Sequence, residues 1–100
     1  MSDPMAIEEQ KKQLFAFLAS LESAEAVAAL LSDLCTDTEI EYMAQRVESA
    51  RLLLEGATYQ QVMDEVNVSS ATLSRINRCI KRGQGGYSGY LAAYLKEQKR

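Results

Sequence analysis

The side chains with the most chemistry to offer are basic and lie close together. Arg75, Arg78, Lys81 and Arg82 recur every three or four positions, and no acid interrupts the run from Asn67 to Gln84. On a helix that spacing gathers cations on one side, suited to phosphate oxygens and base edges. Catalytic groups are scarce by comparison. The chain has no His, which removes the commonest general base, the commonest metal ligand and any Ser-His or Cys-His nucleophile pair. Cys35 and Cys79 lack CxxC spacing and cannot close a four-ligand zinc site, so they read as reduced, half-buried apolar residues of a cytosolic protein. Asp33, Asp37, Glu39 and Glu41 fail as a calcium loop for want of a mid-loop Gly and a late Glu. They read as helix N-terminal acids that complement the macrodipole. No catalytic residue, no metal and no enzyme activity is expected.

The elements that must position the basic run follow from periodicity. Asp3 before Pro4 is a helix start, with Ile7, Leu14, Phe17, Leu18 and Leu21 at helical spacing behind it. A break over Ser20 to Ser23 precedes an Ala-rich helix with Val27, Leu30, Leu31 and Leu34 on one side. Thr36 followed by Glu39 is a capping box that opens a long helix. Ile40, Met43, Ala44, Val47, Ala50 and Leu54 form its apolar stripe, and Gly56 closes it in a left-handed conformation. Leu52 and Leu53 widen the stripe, which suggests burial on two sides, with a partner subunit as the second.

From Tyr59 to Ile76 the pattern is helix, short turn, helix. Thr58 caps the first helix, Asn67 supplies a left-handed turn residue, and Ser69 or Ser70 caps the second. Val62, Val66, Val68, Leu73 and Ile76 have the spacing by which a helix-turn-helix holds its two helices crossed, although Met63 and Asn67 replace the usual small residue and Gly. At about 100° per residue, Leu73, Ile76 and Ile80 cluster on one side of the second helix. Ala71, Arg75, Arg78 and Arg82 lie nearly opposite, with Ser70, Ser74, Asn77 and Lys81 on an adjoining strip. A major-groove helix needs short side chains at its N-terminus, and Ser69, Ser70, Ala71 and Thr72 supply them. Ser74 and Arg75 are placed to reach bases or phosphates, Arg78, Lys81 and Arg82 to hold phosphates, and Gln60 and Gln61 to anchor the backbone from the other flank. Gly83, Gly85, Gly86 and Gly89 crowd a flexible connection that is no phosphate loop, since no strand precedes it and no GK[ST] follows. A last helix carries Tyr90, Leu91, Tyr94 and Leu95 as an apolar edge.

Composition agrees with a small soluble all-α protein. The 100 residues are 47% apolar and 25% charged, an ordinary globular mixture for one domain. So short a chain buries only about two-thirds of its unfolded surface, so a second copy is expected to complete the core. The net charge of -3 conceals a division. Residues 1–65 carry four basic residues against thirteen acids, for -9, whereas residues 66–100 carry seven basic residues against Glu97 alone, for +6. A protein polarised in this way can turn its basic part to DNA. No apolar run approaches the roughly 18 residues of a membrane span, and Glu8, Glu9, Lys11 and Lys12 interrupt any signal-peptide core. A cytoplasmic location is expected.

The run from Thr36 to Lys81 resembles the Trp repressor family, and the chain is similar to its small YerC/YecD-type branch. The matching residues are Thr36-Asp37-Thr38-Glu39, Arg46-Val47, Leu53-Leu54-Glu55-Gly56 and Ala71-Thr72-Leu73-Ser74-Arg75. The resemblance implies six helices, the outer ones intertwined with a second copy, and two helix-turn-helix units on a palindromic operator. Residues 1–56 would form the dimerisation part, 57–82 the helix-turn-helix, and 83–100 the Gly-rich connection and C-terminal helix. In the Trp repressor two arginines clamp tryptophan; by alignment they fall on Arg46 and Arg75, and Cys79 stands where the repressor offers a hydroxyl to the ligand. Arg46, Arg75 and Cys79 are thus the effector candidates. Ile76, however, replaces a Gly beside the ligand, and its branched side chain would fill the indole space. The expectation is a DNA binder that needs no cofactor, or one with a corepressor other than tryptophan. The alternative is a helical dimeric interaction module without specific DNA binding, which salt dependence would distinguish.

Overall fold

The computed structural model describes residues 4–99, and its elements are all helical. They are α1 (Pro4–Ser20), α2 (Ala24–Leu34), α3 (Asp37–Leu54), α4 (Tyr59–Glu65), α5 (Ser70–Arg82), a π-helical turn (Gly86–Leu91) and α6 (Ala92–Gln98). The expected cap Asp3 lies outside the described residues. Two compact units are present, Met1–Ile40 and Glu41–Arg100. The second contains most of α3, so the long helix shares a unit with the helix-turn-helix.

In the first unit α1 stops at Ser20, whose hydroxyl donates to the Phe17 carbonyl at 2.6 Å. Ser23 then caps α2 by accepting from the Ala26 N–H at 3.0 Å. Neither helix contains a buried residue. Phe15 is 61% and Phe17 51% exposed, and Leu34 at the end of α2 is exposed as well. Leu18, Leu21, Val27, Leu30 and Leu31 are half-buried, so the apolar spacing of these helices is only partly used within one chain.

The capping box forms as expected. The Thr36 N–H donates to Glu39 Oε1 at 2.7 Å and the Glu39 N–H to Thr36 Oγ1 at 3.1 Å. At the other end of α3, Gly56 has φ +98°, its N–H donates to the Leu53 carbonyl, and the Ala57 N–H reaches back to the Leu52 carbonyl. Those two bonds make a Schellman stop, which needs a residue free to enter the left-handed region. Ser49 and Ala50 are fully buried on α3.

The core centres on Val62, Val66 and Leu73, with Leu52, Leu53, Ala57, Tyr59, Met63 and Val68 packed around them. This corrects one expectation. Leu52 and Leu53 widen the stripe of α3 because they pack on the helix-turn-helix of the same chain, and no partner is needed to explain them. The Gly-rich stretch is also more ordered than expected. Gly85, at φ +86°, starts the π-helical turn and its carbonyl accepts from the Gly89 and Tyr90 N–H groups, so the segment runs directly into α6. Leu91 and Leu95 are half-buried, but Tyr90 is 83% and Tyr94 58% exposed. The expected edge thus divides: at helical spacing the leucines point one way and these two tyrosines the other.

Candidate nucleic-acid interface

Local hydrogen bonds set the angle at which α5 is presented. Thr58 and Gln61 form a second capping box, with Gln61 N–H to Thr58 Oγ1 at 3.1 Å and Thr58 N–H to Gln61 Oε1 at 2.8 Å. The spacing of Thr58 and Gln61 is the same S/T-x-x-E/Q signature as that of Thr36 and Glu39. The turn departs from expectation: Asn67 is not left-handed, since no described residue other than glycine has positive φ. Instead the Val68 N–H donates to the Val66 carbonyl at 2.8 Å, closing a three-residue turn around Asn67. Extended backbone at Val66 and Ser69 completes the corner, so no glycine is required. Met63, in place of a small residue, is half-buried against the core.

Ser69 is the cap of α5. Its Oγ accepts from the Thr72 N–H at 3.1 Å and donates to Thr72 Oγ1 at 3.1 Å. Leu73 is fully buried and Ile76 is 2% exposed, with Ile80 half-buried behind them. Ser70, Ala71, Ser74, Arg75, Arg78, Lys81 and Arg82 are all exposed. Among the described residues none of the four cations has a carboxylate partner. The face therefore offers its full positive charge outward.

The predicted contact residues accordingly divide by local role. Ser70, Ala71, Ser74 and the four cations are open. Ser69 and Thr72 are engaged with each other, and Gln61 lends its carbonyl oxygen to the cap of α4. Gln60 donates from Nε2 to Asp64 Oδ1 at 2.9 Å.

The three effector candidates do not share a cavity. Arg46 lines a polar cleft of about 290 Å³ with Tyr42, Gln45, Asn67, Val68, Ser69 and Thr72. Cys79 lines a separate apolar cleft of about 590 Å³ with Val47, Gly83, Gln84, Gly86, Tyr87 and Leu91. Arg75 borders neither, and Ile76 is buried in the next position. Tyr42 and Gln45 were not singled out by composition, yet they stand at i and i+3 before Arg46 at i+4. That spacing was the available signal.

Helix α3 also carries an ion-pair network. Arg51 binds Glu48 through two bonds, Nε to Oε1 at 2.6 Å and Nη2 to Oε2 at 2.7 Å, and reaches Glu55 Oε1 at 2.9 Å. Lys99 Nζ lies 3.5 Å from Glu55 Oε2. The guanidinium hydrogen bonds hold the Glu48 carboxyl below its ordinary range and raise Arg51 above its own.

A helix-turn-helix carried on a long central helix, in an otherwise helical chain, defines a Trp-repressor-like protein. The chain belongs to the Trp repressor protein family, whose profile matches residues 9–95. Within that family it is 44% identical over 75 residues to YerC of Bacillus subtilis strain 168, an uncharacterised protein, covering 75% of this chain and 72% of YerC. Two solved structures share the fold. A candidate Trp repressor from Staphylococcus aureus superposes with a TM-score of 0.82 at 29% identity, over 94% of this chain and 96% of that one. A TrpR-like protein from Eubacterium eligens gives 0.81 at 32% identity, over 86% and 89% of the two chains.

Proposed function

We propose that this chain is a sequence-specific DNA-binding transcriptional regulator, a homodimer that presents two helix-turn-helix units to a palindromic operator. The observation that carries the reading is the face of α5. Leu73 and Ile76 are buried on one side, and on the other Arg75, Arg78, Lys81 and Arg82 stand exposed, with no carboxylate partner among the described residues. A helix that served only solubility would mix charges of both signs. Membership of the Trp repressor family supports DNA binding and regulation rather than catalysis.

The homodimer is supported by the apolar residues that one chain leaves open. Phe15, Phe17, Leu34, Met43 and Val47 are exposed along α1 to α3, and a second copy of a short chain is the simplest cover for them. Bound to its operator, the protein represses by occluding it. As a regulator bound to DNA it works where the DNA is, in the cytoplasm. It needs no cofactor, or it answers to a corepressor other than tryptophan; this reading is supported by a buried Ile76 at the position where the family resemblance puts a Gly beside the ligand, and by Arg75 lining neither the cleft of Arg46 nor that of Cys79.

The test is selection of a randomised duplex pool by purified protein at two salt concentrations, followed by sequencing. Enrichment of a palindrome is expected, with affinity falling steeply as salt rises. The exposure of Tyr90 and Tyr94 favours a second reading, a helical module that docks other proteins. Retention of no duplex even at low salt would put that reading first.

A further inference from the structure

Helix α3 treats its two arginines differently. Arg51 is neutralised by Glu48 and Glu55. Arg46 is exposed and has no carboxylate partner among the described residues. It is also the one that borders the polar cleft at the start of α5, and no acidic side chain lines that cleft. Tyr42, Gln45 and Arg46 come from one face of α3, while Asn67, Ser69 and Thr72 form the opposite wall. A guanidinium among amide and hydroxyl groups, with no negative charge to satisfy it, is the lining an oxyanion selects.

We infer that the DNA-contacting surface extends from α5 onto α3, where Arg46 holds a backbone phosphate of the duplex in this cleft. The inference rests on the DNA-binding reading above and adds a contact to it. Continuity of the surface identifies the anion as a phosphodiester. Ser69 and Thr72 bracket Ser70 and Ala71, so the cleft borders the first turn of the recognition helix. The Ser70 and Ala71 N–H groups have no acceptor within that helix. The exposed cations Arg75 and Arg78 follow on the same helix. A phosphate held by Arg46 fixes the register of α5 on the duplex while carrying no sequence information itself.

The experiment measures binding of the selected duplex by fluorescence anisotropy over a series of salt concentrations. It compares the full chain with Arg46→Ala, Tyr42→Glu and Arg51→Ala, with circular dichroism reporting the fold. Tyr42 is exposed, so Glu there is tolerated; it lies one turn from Arg46 and pairs with the guanidinium. Both Arg46→Ala and Tyr42→Glu should flatten the dependence of log affinity on log salt by about 0.9 for each cleft engaged. Arg51→Ala should keep the parent slope, because its charge is already matched. The parent slope in both Arg46→Ala and Tyr42→Glu, or an equal loss of affinity at every salt concentration, would overturn the phosphate contact while leaving the DNA-binding reading intact. Failure of the unmodified chain to bind any duplex would remove both.

Discussion

Arg75 and Arg78 are exposed on α5 and have no carboxylate partner among the described residues. Replacing either by Ala should therefore weaken duplex binding by about 1–3 kcal/mol, with helix content and oligomeric state unchanged in circular dichroism and sedimentation. A variant that unfolds would show that the face is assigned wrongly. Ser49 is the opposite case, fully buried on α3 with its Oγ lacking any hydrogen-bond partner. A buried hydroxyl without a partner costs on the order of 1–3 kcal/mol. Ser49→Ala removes that penalty at almost constant volume and should raise the thermal midpoint by several degrees. Nothing in the sequence marks Ser49 as an orphan, because a helical serine ordinarily bonds to the carbonyl one turn back or faces water.

Among the elements, α3 and α4 were legible to their ends because their boundaries are local chemistry. Thr36 with Glu39, Thr58 with Gln61, and Gly56 after Leu54 each bring together backbone and side chains a few residues apart. The α3 cap also makes stability depend on pH. The carboxylate of Glu39 accepts from the Thr36 N–H, which lowers its pKa in the folded chain. A depressed folded pKa stabilises the fold above the ordinary carboxylate pKa, and that contribution is lost as pH falls through the depressed value. Glu39→Gln keeps an acceptor for the same N–H and should flatten the acid side of the stability profile in thermal melts, without loss of α3 at neutral pH. An unchanged acid profile would remove Glu39 from the account. The turn between α4 and α5 was less legible, since Asn67 satisfies two quite different turn geometries and only the extended backbone at Val66 selects one.

For the whole molecule the expected species in sedimentation is a dimer. Aspartate at Phe17 and Leu34 together should yield a monomer that loses helix, because neither α1 nor α2 buries a residue within one chain. A stable, fully helical monomer in the unmodified chain would contradict the proposed assembly. The order of helices, the caps and the basic, acid-free face of α5 were all determined by the sequence, since each depends on residue types within one or two turns. Tertiary structure alone decided three further matters. It assigned Leu52 and Leu53 to the helix-turn-helix core, and it turned Tyr90 and Tyr94 outward while Leu91 and Leu95 turned in. It also brought Tyr42, Gln45 and Arg46 of α3 against the start of α5, while separating Arg46 from Arg75 and Cys79. Periodicity gives the direction of a side chain around its own helix axis. What lies opposite that side chain depends on how the helices pack, which residues distant in sequence decide.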